Sequence, residues 1–321
     1  MPDVLCLGEL LVDFVPAAPG PIRHAGLFRK AAGGAPANVA VGLARLGVAS
    51  GFMGQVGDDG FGQFLADTLH GAGVDTAALR FTGAAPTALA FVSLGEAGER
   101  SFLFYRNPSA DMLYAPADVD EGAISRARAL HFGSISLVSD PSRAATLHAV
   151  AVARRHGGRV SYDPNLRLPL WPSEAAARDG LLLGWQHASV VKVAADEVEF
   201  LTGNTDPVAG VRSLWHDGLE LVAVTLGAGG CVWVTADAHH AVPGFAVQPV
   251  DTTGAGDAFM AGLLAGLHAE PGATNDPAAL DRICSLANAM GALTTTSPGA
   301  IPSIPGRAAV EAFIASMGRP A

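Results

Sequence analysis

Between residues 189 and 225 lie two short, nearly continuous apolar runs, Ser189-Val190-Val191-Lys192-Val193 and Leu221-Val222-Ala223-Val224-Thr225. A strand with one wet face alternates apolar and polar residues, whereas a strand covered on both faces does not. Similar runs recur upstream at Val4–Leu7, Ser50–Met53, Ala129–Phe132 and Arg159–Asp163. Helical patterns lie beside them: Ala35–Leu46 carries Val39, Leu43 and Leu46 on one face, and Gly60–His70 follows the second run. Such alternation predicts an α/β fold, with a mostly parallel central sheet and helices on both faces.

Two segments break the alternation. Residues 11–32 contain Pro16, Gly20, Pro21 and Gly26 among mixed polar and apolar residues. Residues 87–106 contain two β-rich runs around a loop with Gly95 and Gly98, a hairpin signal. Together they could make a small sheet beside the main body, as a lid would; an ordinary edge hairpin explains the second segment equally well.

Composition narrows the class. The chain has 321 residues, 50% of them hydrophobic and only 16% charged, so it can bury a large core. Its formal net charge of -10 argues against a nucleic-acid backbone as partner, which needs a basic face. Cys6, Cys231 and Cys284 are far apart and form no metal or redox motif, which fits a reducing compartment. The start, MPDVLCLGELLVDFV, has no basic region before its apolar residues and carries Glu9 and Asp13, so it reads as a strand and not a signal peptide. No apolar run is long enough to span a membrane. A cytoplasmic enzyme is expected.

The chemistry concentrates late, in Val250-Asp251-Thr252-Thr253-Gly254-Ala255-Gly256-Asp257-Ala258-Phe259. A Gly-Ala-Gly turn running into an apolar helix leaves main-chain N–H groups at a helix start, where anions bind. Small residues there let a phosphate come close. Asp257 would repel a phosphate at rest, but it makes sense as a base that takes a proton from an attacking hydroxyl while the amides stabilise the moving phosphoryl group. A plain helix cap is the competing explanation. Gly33-Gly34-Ala35-Pro36-Ala37-Asn38 is a second glycine turn into a helix, with an amide suited to a polyol at Asn38. Gly262 and Gly266 read as helix-packing positions. The P-loop and protein-kinase signatures are absent.

The pair GGAPANVA and DTTGAGDAF, in that order, resembles the two signatures of the PfkB (ribokinase-like) family of carbohydrate kinases over nearly the whole chain. Within the family, the segments Gly8–Phe14, Phe104–Asp111 and Tyr162–Arg167 are similar to those of fructokinases. Ribokinases carry Gly-Lys-Gly-Ala-Asn where this chain has Gly34-Ala35-Pro36-Ala37-Asn38. The resemblance implies one ribokinase-like domain over 1–321, with 11–32 and 87–106 as a β-lid over the sugar.

Residue roles follow from the resemblance. Asp257 would be the base, and the amides of Gly254, Ala255 and Gly256 the anion hole. Asp13, Gly33, Gly34 and Asn38 would line the sugar pocket, with Tyr105, Arg106 and Arg167 reaching the sugar or the phosphates. Asn165, Lys192, Thr225, Gly227 and Gly230 would serve the nucleotide, and Asn288 would lie near the adenine. Glu197 matches the acid of an Asn-x-x-Glu motif that orders Mg2+ through water, but Ala194 stands in the Asn position. Lys192 is nearby to supply polar function. Asp251 and Thr253, with carbonyls near Ser297 and Gly299, match a K+ site; an ordinary turn explains them as well.

The resulting expectation is transfer of the γ-phosphoryl group of ATP, with Mg2+, to a primary sugar hydroxyl, fructose being the favoured acceptor. A 2-keto-3-deoxygluconate kinase is the nearest rival. A nucleoside kinase of the same superfamily and a sugar-sensing pseudokinase are the others. The expected partners are the sugar and ATP, with a homodimer formed by pairing two lids.

Overall fold

The computed structural model describes residues 1–18, 20–94 and 100–318. Among these, a nine-stranded sheet contains β1 (Val4–Leu7), β4 (Ser50–Gly57), β5 (Leu79–Thr82), β8 (Ala129–Gly133), β9 (Arg159–Asp163), β10 (Val190–Ala194), β11 (Leu221–Thr225), β12 (Gly230–Val234) and β13 (His239–Pro243). Their order is β13-β12-β11-β10-β9-β8-β1-β4-β5. From β11 to β5 all pairings are parallel, and β12 and β13 add an antiparallel edge. The outer strand β13 is not legible in the sequence, because Val242 is its one buried residue and leaves no apolar run.

Alternate residues of each parallel strand enter two separate cores. Leu221 and Ala223 join Val190, Cys6 and Phe52 against α1 (Ala35–Arg45), α2 (Gly60–Gly71), α8 (Ala255–Ala269), α9 (Pro277–Thr294) and α10 (Arg307–Ser316). Val222 and Val224 join Val191, Val193 and Met53 against α3 (Glu121–Arg126), α4 (Ser142–Arg155), α5 (Glu174–Trp185), α6 (Ala195–Thr202) and α7 (Pro207–Ser213). With helices on both faces, LVAVT has no wet side, hence its lack of alternation. Within the first core α8 packs closely on α9: a Cβ at Gly262 would sit 2.8 Å from Ala287 Cα.

The two segments that interrupt the alternation supply a second sheet of four strands: β2 (Leu11–Pro16), β3 (Phe28–Gly33), β6 (Leu89–Leu94) and β7 (Arg100–Tyr105), in the order β3-β2-β6-β7. β6 and β7 pair antiparallel, β2 runs parallel to β6, and the loop with Gly95 and Gly98 lies outside the described residues. Register sets Asp13 beside Ala90 and Ala90 beside Phe104 on one face. The other face carries Phe14 stacked on Phe91 at 4.9 Å, with Tyr105 edge-on to Phe91 at 5.4 Å. The first face looks onto the carboxyl ends of the large sheet's strands, the usual place for a site in an open α/β sheet.

Candidate active site

The late glycine turn opens α8 as the sequence suggests. Gly254 is the N-cap residue at φ 79°, left-handed backbone that suits glycine, and any Cβ there would meet Ala300 Cβ at 2.9 Å. The first intrahelical bond runs from the Ala258 amide to the Gly254 carbonyl at 2.8 Å, so the amides of Gly256 and Asp257 precede it. The Ala255 amide is not part of that set, because it donates to the Thr252 carbonyl at 3.2 Å. Of the three amides expected to form an anion hole, this one is turned into the chain.

The first glycine turn faces it. Gly34 caps α1 at φ 115°, with its α-carbon pressed on the Glu9 carbonyl so that no side chain fits. One turn into α1, Asn38 Nδ2 donates to Asp257 Oδ2 at 2.7 Å, while Asn38 Oδ1 is buried with no partner. The Asp13 carboxylate lies against the Gly33 α-carbon. These elements enclose a cleft of about 350 Å³ whose walls include Asp13, Gly34, Asn38, Phe104, Arg167 and Asp257. The sugar-side and phosphate-side candidates are therefore neighbours.

Electrostatics single out Asp257. Burial pushes its carboxyl up to about 6, and Asp163 adds to the rise, while the Asn38 hydrogen bond and the charges of Lys192 and Arg167 oppose it. Lys192, in the middle of β10, donates to both Asp163 oxygens at 3.2 and 3.0 Å. Its ammonium also lies where a Gly256 Cβ would be, at 2.8 Å, so it sits beside the start of α8. The carboxylates of Asp163, Glu197 and Asp257 hold it charged against desolvation. Asn165 (φ 40°) follows, its amide on Asp163 Oδ1 at 3.1 Å.

Glu197 has both oxygens on main-chain amides, Leu166 at 2.6 Å and Ala194 at 2.8 Å. It closes half of a capping box on α6, the missing half being the side chain that Ala194 lacks. Thr225 ends β11, and the turn from Gly227 to Gly230 follows it, both glycines at positive φ. Asp251 takes the Thr253 amide at 2.8 Å and the Gly299 amide at 2.7 Å, tying the turn before α8 to the loop that also carries Ser297.

Two candidates lie elsewhere than expected. Tyr105 is 60% exposed on the outer face of the small sheet, and strand alternation gives its place in the cleft to Phe104. Arg106 is buried and committed to Asp111 by Nε at 2.8 Å and Nη2 at 2.5 Å, behind the cleft wall, so it does not reach a sugar or phosphate. Asn288 donates Nδ2 to the carbonyls of Val242 and Pro243, joining α9 to the end of β13.

Sequence reading assigned no role to Glu9 or Asp163. Glu9 is 2% exposed and Asp163 2%. Glu9 Oε1 accepts from the Ala35 amide at 2.9 Å. An unmet buried amide there would cost about 1–3 kcal/mol. A buried carboxylate is a recognisable signal only once burial is known.

The chain is similar to known carbohydrate kinases in sequence and in fold. The sequence model described as "pfkB family carbohydrate kinase" matches residues 1–307. A probable fructokinase-7 of Arabidopsis thaliana is 48% identical over 317 residues, covering 98% of this chain and 92% of that protein. A fructokinase of Xylella fastidiosa solved with bound ATP superposes with a TM-score of 0.91 at 37% identity, over 99% of this chain and 100% of that one. A double mutant of a fructokinase from Vibrio cholerae O395, bound to fructose, ADP and potassium ion, gives 0.87 at 38% identity over 98% of each chain.

Proposed function

The chain belongs to the pfkB family of carbohydrate kinases, and we propose that it transfers the γ-phosphoryl group of ATP to the primary hydroxyl of fructose, giving fructose 6-phosphate and ADP. The observation that carries this reading is the position of Asp257: a buried carboxylate at the open start of α8, bonded to Asn38 across a cleft of sugar-like size.

In this reaction the sugar oxygen attacks the γ-phosphorus, the bond to the β–γ bridging oxygen breaks, ADP leaves, and the hydroxyl proton passes to Asp257. A carboxyl raised to about 6 is still mostly ionised at neutral pH and is a stronger base than an exposed aspartate. General-base positioning is worth about 10²–10⁴ in rate, roughly 3–5 kcal/mol. The Gly254 and Gly256 amides, with that of Asp257 and the Lys192 ammonium, offset charge on the phosphoryl oxygens. Asp13, Gly33, Gly34 and Asn38 take the sugar hydroxyls, with Arg167 opposite.

For the nucleotide, Asn165, Lys192, Thr225, Gly227 and Gly230 line the approach to the phosphates. Among the described residues no cluster of three or more His, Cys, Asp or Glu could hold a metal. That donor set fits a Mg2+ held by the nucleotide's phosphates and water, with Glu197 at one remove. Mg2+ would supply neutralisation of the phosphate oxygens. Potassium belongs with Asp251, Thr253, Ser297 and Gly299, whose loops are joined through Asp251. The small sheet serves as the lid that keeps water from the phosphoryl group. Its outer face, with Leu103 47% and Tyr105 60% exposed, is the surface for a homodimer. The working compartment is the cytoplasm.

The test is a panel of acceptors with ATP and Mg2+ (fructose, ribose, 2-keto-3-deoxygluconate, adenosine), reporting kcat/KM from ADP release. Fructose should lead. A lead for ketodeoxygluconate or adenosine reassigns the acceptor, and no turnover with any of them leaves a sugar-binding protein without phosphotransfer.

A further inference from the structure

Glu9 follows β1, where the chain leaves the large sheet for the small one, and it is interlocked with the start of α1 at three points. The Ala35 amide donates to its Oε1 at 2.9 Å. Its carbonyl oxygen lies against the Gly34 α-carbon, and its neighbour Gly8 lies under Pro36, where a Cβ would meet Cγ at 2.6 Å. No local group can do this work, since the N-cap of α1 is a glycine with no side chain. Residues 26 positions apart are joined instead.

Glu9 also lines two spaces. One is the cleft with Asp13, Asn38 and Asp257. The other is a cavity of about 10 Å³, lined by Arg106, Asp111, Ser136, Ser142 and Thr146 among others. Glu9 Oε2 is buried with no partner, a condition that an ordinary helix cap avoids. From Ala35 it is one helical turn to Asn38, and from Asn38 Nδ2 it is 2.7 Å to the base.

We propose that Glu9 is a positioning residue for phosphotransfer: its carboxylate fixes the start of α1 and thereby sets Gly34 and Asn38 against the sugar and Asp257. This rests on the kinase reading above. Glu9 accepts the Ala35 amide best when ionised, and burial pushes its carboxyl up to about 7. The charged and titratable groups that face it are Arg106, Asp111 and Tyr114 across the small cavity, and Asp13, Arg167 and Asp257 across the cleft. Its own main-chain amide, Arg106 and the Ala35 amide favour the ionised form, and Asp111 opposes it.

The experiment compares wild type, Glu9→Gln and Glu9→Ala, using kinetics with fructose and ATP from pH 5.5 to 8.5 and calorimetric fructose binding. Loss of the carboxylate in Glu9→Ala should raise KM for fructose about tenfold, the worth of one hydrogen bond to a charged group, with KM for ATP within about twofold. Glu9→Gln keeps an acceptor oxygen and should recover most of that loss. Fructose binding by wild type should weaken as pH falls through about 7, whereas the Gln variant should lack this step. A wild-type fructose KM in Glu9→Ala, or an unchanged pH step in Glu9→Gln, overturns the proposal. If the Ala variant does not fold, the pH step in the Gln variant decides alone. No ADP release by wild type with fructose and ATP would instead overturn the kinase reading, which separates the two failures.

Discussion

Asn38 Nδ2 and Asp257 Oδ2 are 2.7 Å apart, a buried hydrogen bond between residues 219 positions apart in the chain. It joins the two glycine turns that open α1 and α8. Because the bond favours the ionised carboxylate while burial opposes it, the proton affinity of Asp257 is set partly by Asn38 at the start of α1.

Asp257→Asn should lower kcat by at least about a hundredfold with little change in either KM, since it removes proton acceptance and not bulk or polarity. Steady-state kinetics at saturating ATP checks this. Turnover near wild type would remove Asp257 from the reaction.

The acid limb of kcat/KM should fall near pH 6, where Asp257 takes up its proton. Asn38→Ala removes a hydrogen bond that lowers that value, so the limb should move to higher pH. The same variant should bind fructose more weakly and ATP about as before, which calorimetry reads directly. An unmoved limb would mean that the bond does not tune the base.

Asp257 should cost stability in the empty protein. Its carboxyl is raised from the usual 3.8 to about 6, so the folded state holds a proton that the unfolded chain would release. Its contribution is fully present below 3.8 and is lost as pH rises through about 6. The difference amounts to roughly 3 kcal/mol. Asp257→Asn should therefore melt above wild type at pH 8, with the gap closing toward pH 4. Equal melting temperatures at pH 8 would contradict the account of burial.

Lys192 and Asp163 form a buried pair at 3.0 Å, 5% and 2% exposed as residues. Lys192→Met leaves Asp163 unpaired and should destabilise by about 3–5 kcal/mol in urea. Adding Asp163→Asn should restore most of that stability but not kcat, because the charge beside Gly256 is still missing. Recovery of activity in the double variant would make the pair purely structural.

Much of this was legible in the residues. SVVKV and LVAVT reported strands covered on both faces because a doubly buried strand has no use for polar positions. Gly34 and Gly254 marked the two turns because each needs left-handed or crowded backbone. The order of GGAPAN and TGAGD, with Asn38 and Asp257, gave the chemistry its two sides.

Other features depended on contacts between distant segments. Whether Phe104 or Tyr105 faces the cleft follows from the pairing of β7 with β6, and a shift of one residue would exchange them. Arg106 could meet a phosphate or a carboxylate, and only the approach of Asp111 in a dry setting chose the latter. The Glu9 carboxylate meets the Ala35 amide, 26 positions away, for the same kind of reason. The sequence by itself determined the layers of the fold and the glycine turns, since these rest on local periodicity and local sterics, and it singled out Asp257 as the candidate base. Tertiary structure alone decided which polar groups are occupied by the protein and which are left for ligands, because a hydrogen bond's partner is fixed by what folding brings within about 3 Å of it.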